Sequence, residues 1–324
     1  MDWDFLLRIL ASILAESAPL VFACIGETFT EKAGVINLSL DGSILLSAMT
    51  GFAVACLSGS LVLGFLAAMG VGGLVALVVV VAGTELRQDQ VAVGFVLTLL
   101  TTDLSSFLGN PFVRIPGPAV PPLPVASLKD IPLLGALFFN HNLVTYASLA
   151  LIGLSWLWIY RTRPGLELQG VGENPAAAFT RGIHVRRQRY IYTVVGGCLV
   201  GIAGASYSLN VKLGWSYQHT LGVGWIALAI VIFGGWNPLR AAFGAYLFGA
   251  FQTLGSLLQG FLPRVPMQAF QVAPFVLMIV VLVLVSSEGL NRFIGLFQGR
   301  IGRALTGFFR VTPPSSLGKP FERE

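Results

Sequence analysis

RTRPGLELQGVGENPAAAFTRGIHVRRQR, residues 161–189, is the polar stretch on which the reading of this chain turns. It lies between two long apolar runs and holds six of the twenty Lys and Arg residues, a concentration that marks the cytoplasmic side of a membrane protein. Asn174 followed by Pro175 reads as an N-cap with proline at the first helical position. Ala176, Ala177, Ala178 and Phe179 continue the helix, and Gly182 offers a stop. A helix of about two turns does not persist alone in water. The membrane surface, the rest of the chain or a partner's groove must hold it.

Working outward, the 324 residues are 55% hydrophobic and only 11% charged, against roughly 25% charged in a soluble domain. The expected fold is an all-α polytopic membrane protein. About nine runs approach the ~20 residues that a span requires: 5–26, 43–58, 60–83, 91–109, 142–160, 190–210, 222–236, 241–260 and 272–287. With 161–189 inside, alternation places the N-terminus outside and the C-terminus in the cytoplasm. Only Arg8, Arg114, Lys129, Lys212 and Arg264 then fall outside, leaving fifteen of the twenty basic residues within, the asymmetry that orients membrane proteins. The chain divides into a membrane domain, 1–287, and a basic cytoplasmic tail, 288–324. The start, MDWDFLLRIL, is acidic where a signal peptide is basic, so the first span is expected to be retained.

Missing chemistry narrows the function. None of the four lysines (Lys32, Lys129, Lys212, Lys319) sits in a Gly-x-x-x-x-Gly-Lys-Ser/Thr loop, so ATP binding by this chain is not expected. His141, His184 and His219 are far apart, and Cys24, Cys56 and Cys198 are scattered in apolar runs, without metal or disulfide spacing. The net charge of +5 comes from basic clusters flanking spans rather than from a basic stripe with interleaved aromatics, which argues against nucleic acid. Gly70-Val-Gly72-Gly73 and Gly197-Cys-Leu-Val-Gly201 lie inside spans and read as places where helices approach closely.

The spans 43–58 and 222–236 are short, one in each half of the chain, and each follows a polar, glycine-marked approach: GVINLSLDG (34–42) and SYQHTLG (216–222). Paired interrupted segments point to a transport path near the bilayer midplane. Asn37, Ser39 and Asp41, with Gln218 and His219, are therefore the candidate path residues. Asp41 equally suits a helix cap at the start of its own span. Asp103, in TTDLSS (101–106), either lines an outer cavity or pairs with a neighbouring helix. The outer loop 110–141 carries the proline-rich NPFVRIPGPAVPPLP, extended in character, and serves as spacer or docking rim. The first half of the tail suits an amphipathic surface helix, and disorder is expected after Pro313 and Pro314.

The stretches GETFTEKAGVINLSLDGSILLSAM (Gly26 to Met49), VGENPAAAFTRGI (Val171 to Ile183) and GWIALAIVIFGGWNPLRAAFGAYLFG (Gly224 to Gly249) resemble permease subunits of bacterial ABC importers for nucleosides and simple sugars, in the superfamily shared with ribose-type and branched-chain amino-acid permeases. The resemblance implies a non-catalytic inner-membrane permease. It would be paired with a second permease, identical or different, with two cytoplasmic ATP-binding domains that carry ATP and magnesium, and with an external substrate-binding lipoprotein. It implies no cofactor on this chain and a small polar solute as cargo. It also assigns coupling to the ATPase to the segment matching Glu173, Asn174 and Pro175, which the short helix extends to Gly172, Ala178, Phe179, Arg181 and Gly182. Many relatives carry Glu where this chain has Asp41, which leaves the solute open. A branched-chain amino-acid or other small-solute permease, or a self-sufficient channel or secondary transporter, is the alternative.

Overall fold

A computed structural model describes residues 3–124, 134–261 and 313–321, with the isolated positions 272, 276, 279 and 280. Eleven α-helices follow in order among the described residues: α1 (Trp3–Lys32), α2 (Leu40–Ser58), α3 (Leu61–Thr84), α4 (Gln90–Gly109), α5 (Leu134–Phe138), α6 (Leu143–Arg161), α7 (Arg163–Glu173), α8 (Pro175–Thr180), α9 (Val185–Ser206), α10 (Val223–Phe233) and α11 (Pro238–Phe261). The only β pairings there are isolated bridges, Val113 with Trp215 and Pro122 with Asn142. Seven helices are long and apolar enough to cross a membrane: Phe5–Lys32, Leu40–Ser58, Leu61–Thr84, Gln90–Phe112, Leu143–Arg161, Val185–Val211 and Pro238–Gln259. In lipid such helices satisfy their own backbone, and the chain is a multi-pass membrane protein.

Local chemistry sets the helix starts. Asp89 accepts hydrogen bonds from the amides of Val91 and Ala92, Asn142 from that of Thr145, and Thr162 from that of Gly165, so α4, α6 and α7 each start on a side-chain cap. The expected span 5–26 instead continues to Lys32, because Glu27 and Glu31 find partners inside the protein: Asn37 donates to Glu27, and the indole of Trp236 donates to Glu31. The expected span 222–236 is an 11-residue helix, α10, too short to cross alone. The ninth expected span, 272–287, apart from the isolated positions 272, 276, 279 and 280, the surface helix in 288–312 and part of the expected outer loop, 125–133, lie outside the described residues.

Small residues bring the helices together. An added Cβ at Gly72 would come within 2.3 Å of the Gly197 carbonyl, and one at Gly201 within 2.2 Å of the Ala68 carbonyl, so the two glycine motifs of α3 and α9 pack on each other as expected. Gly70, on the same helix, faces open space. Gly26 and Gly196 make the equivalent approach between α1 and α9. The core cluster threads α1, α2, α9, α10 and α11 through Val21, Ile25, Ile44, Val200, Ile230 and Ala245, while Leu66 and Leu74 of α3 and Phe95 and Leu99 of α4 point outward.

Residues 313–321 of the tail are ordered rather than disordered. Pro314 and Ser316 are buried, and Leu317 packs against the main core.

Candidate functional site

Asp41 sits in the first turn of α2, 2% exposed. Its carboxylate does not cap its own helix. Oδ1 accepts from the amide of Gly224 at 2.8 Å and Oδ2 from that of Gly222 at 3.2 Å, so Asp41 caps α10 across 183 residues of sequence. A carboxylate there also complements the positive end of the α10 dipole. Gly222 has a left-handed φ of 88°, and a Cβ at Gly224 would lie 2.3 Å from the Asp41 backbone. The first turns of α2 and α10 therefore abut, which is possible only with glycine at 224.

The approach to Asp41 runs inward along α4. The amide of Ile36 donates to the Gln90 side chain at 2.8 Å, and Thr98 Oγ1 donates to the Leu38 carbonyl at 2.6 Å. Gly42 then packs on Thr98 and Thr101. From Gln90 to Thr101 is about 16 Å along a helix, half of the ~30 Å hydrocarbon thickness. From this level α2 runs to the side of the 110–124 loop, where Gly117 packs on Phe52 and Cys56. α10 runs the other way and is followed by Trp236, which bonds Glu31 near the end of α1. α2 and α10 thus start side by side and run in opposite directions; α2 is long enough to cross a membrane and the 11-residue α10 is not.

Of the candidate path residues, Asn37, Ser39 and Asp41 are all buried. Asn37 Oδ1 accepts from the amide and the hydroxyl of Ser39, and its Nδ2 donates to Glu27 Oε2 at 3.5 Å. The second-half pair is placed differently. Gln218 is exposed, with φ 52°. His219 meets Ser208 Oγ at 3.4 Å and the Ser216 carbonyl at 3.0 Å, edge-on to Trp215. Burial holds the His219 imidazole down to about 4, against the opposing Ser216 carbonyl and with Lys212 adding to the lowering, so the ring is neutral at pH 7. In the second half, Gly222 and Gly224 meet the first-half cluster, rather than Gln218 and His219. Asp103 is exposed, on the opposite side of α4 from buried Thr101, Thr102 and Ser105.

The described part of the 110–141 loop packs on the second half. The Arg114 amide donates to the Trp215 carbonyl and the Val120 amide to the Leu209 carbonyl at 3.0 Å. Asn142 bonds Asn210, and Tyr217 bonds Asn110.

The 161–189 stretch contains one helix more than expected, α7, ahead of α8. Asn174 Oδ1 accepts from the Ala177 amide at 3.0 Å, Pro175 is the first residue, and Gly182 with φ 83° follows the C-cap Arg181. One side of α8 rests on the protein itself: Ala178 is buried with Val171 and Val185. Phe179 is 40% exposed, tilted against Phe321 with ring centroids 5.8 Å apart. Arg181 is exposed. Gly172 packs on the Lys32 carbonyl, and Glu173 accepts from the Ser315 hydroxyl at 2.9 Å. The sequence reading missed Glu27, Glu31 and Trp236, although two carboxylates four residues apart at the end of an apolar run are a usable signal.

An all-helical bundle with seven helices long and apolar enough to cross a membrane, and a short side-chain-capped α8 between two of them, is the architecture of a multi-pass membrane protein. Residues 9–282 match the family described as the branched-chain amino acid transport system / permease component, and the chain belongs to that family. It is 36% identical to a putative glucose ABC transporter permease of Haloferax volcanii over 78% of each chain. It is 34% identical to a nucleoside ABC transporter permease of Lactococcus lactis, over 85% of this chain and 91% of that one. A guanosine ABC transporter permease of Bacillus subtilis is 33% identical over 97% and 96%. No solved structure matches.

Proposed function

We propose that this chain is the membrane permease of an ABC importer for a nucleoside or a simple sugar, working in the bacterial plasma membrane. The observation that carries this reading is the similarity to nucleoside permeases along nearly the whole chain. The glucose permease supports the sugar alternative. The partners follow from the same reading: a second permease, two ATP-binding domains that hold ATP and magnesium, and an external binding lipoprotein. In this arrangement the chain makes nine crossings, with the N-terminus outside and the tail inside. The 33–39 segment and the 212–222 segment each reach mid-depth from opposite faces.

The cargo passes the level of Asn37, Ser39 and Asp41, and enters past Gln218 and His219. A sugar hydroxyl buried without a partner costs about 1–3 kcal/mol, and the polar groups at the α2–α10 junction offset that cost. α8 docks on an ATPase subunit with Phe179 as anchor and Arg181 at the rim, flanked by Gly172, Glu173, Asn174, Pro175, Ala178 and Gly182. The support is a capped helix with one face seated on its own protein and an aromatic ring half exposed on the other.

Reconstitution of the chain with its three partner types, followed by uptake of labelled guanosine, uridine, glucose and leucine, tests the function. Saturable, ATP-dependent uptake of a nucleoside or glucose is expected. Uptake of leucine alone, or uptake that proceeds without the ATPase, overturns the assignment. Phe179→Asp is expected to leave the permease inserted and to abolish ATPase capture; unchanged capture and uptake would remove the docking role of α8.

A further inference from the structure

We infer that Pro313–Phe321 is a positioning strap that ties α8 to the 33–39 segment, so that movement of one is felt by the other. The inference rests on the reading of α8 as the ATPase-docking helix. Within nine residues the strap is fastened at both ends of that connection. On the α7–α8 side, the Ser316 amide donates to the Gly172 carbonyl at 2.9 Å, and the Ser316 hydroxyl lies 2.7 Å from that oxygen and 3.0 Å from the Val171 carbonyl. The Ser315 hydroxyl donates to Glu173, and Phe321 covers the Phe179 ring. On the other side, the Gly318 amide donates to the Gly34 carbonyl at 3.0 Å, and Gly318 lies against Ile36.

The middle of the strap is anchored by charge. Arg189 of α9 is fully buried, and its Nη1 donates to the Lys319 carbonyl at 3.0 Å. That is the one hydrogen bond its guanidinium makes among the described residues, with Nε and Nη2 unsatisfied. The strap's Lys319 carbonyl thus gives this buried guanidinium its one hydrogen bond among the described residues, and a buried charge without a partner is costly. Gly318 has a left-handed φ of 72°, and a Cβ there would fall 2.6 Å from Ile36 Cδ1, so the strap fits this seat only with glycine at that position. The residues it reaches on the far side, Gly34 to Ile36, lead directly to Asn37, Ser39 and Asp41. A tail without a role has no reason to bury a serine between two helical carbonyls and a turn.

The test uses the complete reconstituted transporter with Ser316→Ala, Gly318→Val, and a chain ending at Thr312, and measures solute moved per ATP hydrolysed alongside ATPase capture. The expected result is capture and basal hydrolysis retained, with solute moved per ATP reduced about fivefold or more, the lower range of site-to-site coupling. A wild-type ratio in Gly318→Val, whatever its membrane level, overturns the strap. If the shortened chain fails to insert, Ser316→Ala and Gly318→Val in the full-length chain decide the matter by the same ratio. Phe179→Asp separates the two readings: unchanged ATPase capture in that variant removes the docking reading itself, whereas lost capture with a normal ratio in Gly318→Val removes the strap alone.

Discussion

Asp41 shows how much one side chain can join. It lies in the first turn of one helix and caps another, and its carboxylate supplies acceptors for the part-buried Gly222 amide and the buried Gly224 amide. Asp41→Asn keeps one oxygen acceptor and the side-chain length but loses the charge that favours the α10 start, an effect of about 0.3–1 kcal/mol at exposed helix ends and more when buried. Its uptake per inserted transporter is expected to fall to well below half. Asp41→Ala leaves both amides unpaired at about 1–3 kcal/mol each, and the amount of folded protein should fall as well. Membrane level by immunoblot and uptake by filtration separate the two effects. Full uptake per transporter in Asp41→Asn would show that the carboxylate serves only the fold. The residue was legible in the sequence as a costly charge beside a short span; its partner was not, because a cap spanning 183 residues leaves no local pattern.

At the scale of elements, the α3–α9 contact is the strongest statement the glycines make. Gly197→Val would drive a branched side chain toward the Gly72 carbonyl, 2.5 Å from the first added carbon, and toward Ala76. Overpacking of this kind costs about 1–3 kcal/mol, so a lower melting temperature in detergent and a reduced membrane level are expected. Gly70→Val on the same face-to-face helix pair meets nothing within 4 Å and serves as the control; equal loss in both variants would deny the contact its role. The glycine pairing, α8 with its Asn174 cap, and most helix positions could be read from the sequence because each has a local signature. α7 could not, since RPGLELQGVGE mixes proline, glycine and charge, and its helix depends on the Thr162 cap and on Leu168 and Val171 packing inward. The ordered tail also escaped notice: SSLGK looks like linker, and only the arrangement of Gly34, Gly172 and Arg189 around it makes it a seat.

For the whole molecule, the charge asymmetry sets a direction that labelling can check. In a chain whose three free cysteines have been replaced, Ile115→Cys, 43% exposed in the outer loop, should react with an impermeant maleimide on intact cells. Thr180→Cys, exposed at the end of α8, should react only after permeabilisation. The opposite pattern would invert the proposed orientation. Seven helices long and apolar enough to cross stand among the described residues; a hydropathy window does not distinguish such a helix from a shorter one, and 222–236 holds the 11-residue α10.

The junction between α2 and α10 also has a clock. Asp41 leaves the ribosome about 180 residues ahead of its amide partners, and at about 5–20 residues per second the interval is roughly 10–40 s. During it the nascent first half holds the Asp41 carboxylate with neither α10 amide yet made. The second half arrives to a carboxylate whose α10 partners are still to come; the order of translation makes α10 the keystone, laid after the arch that it joins.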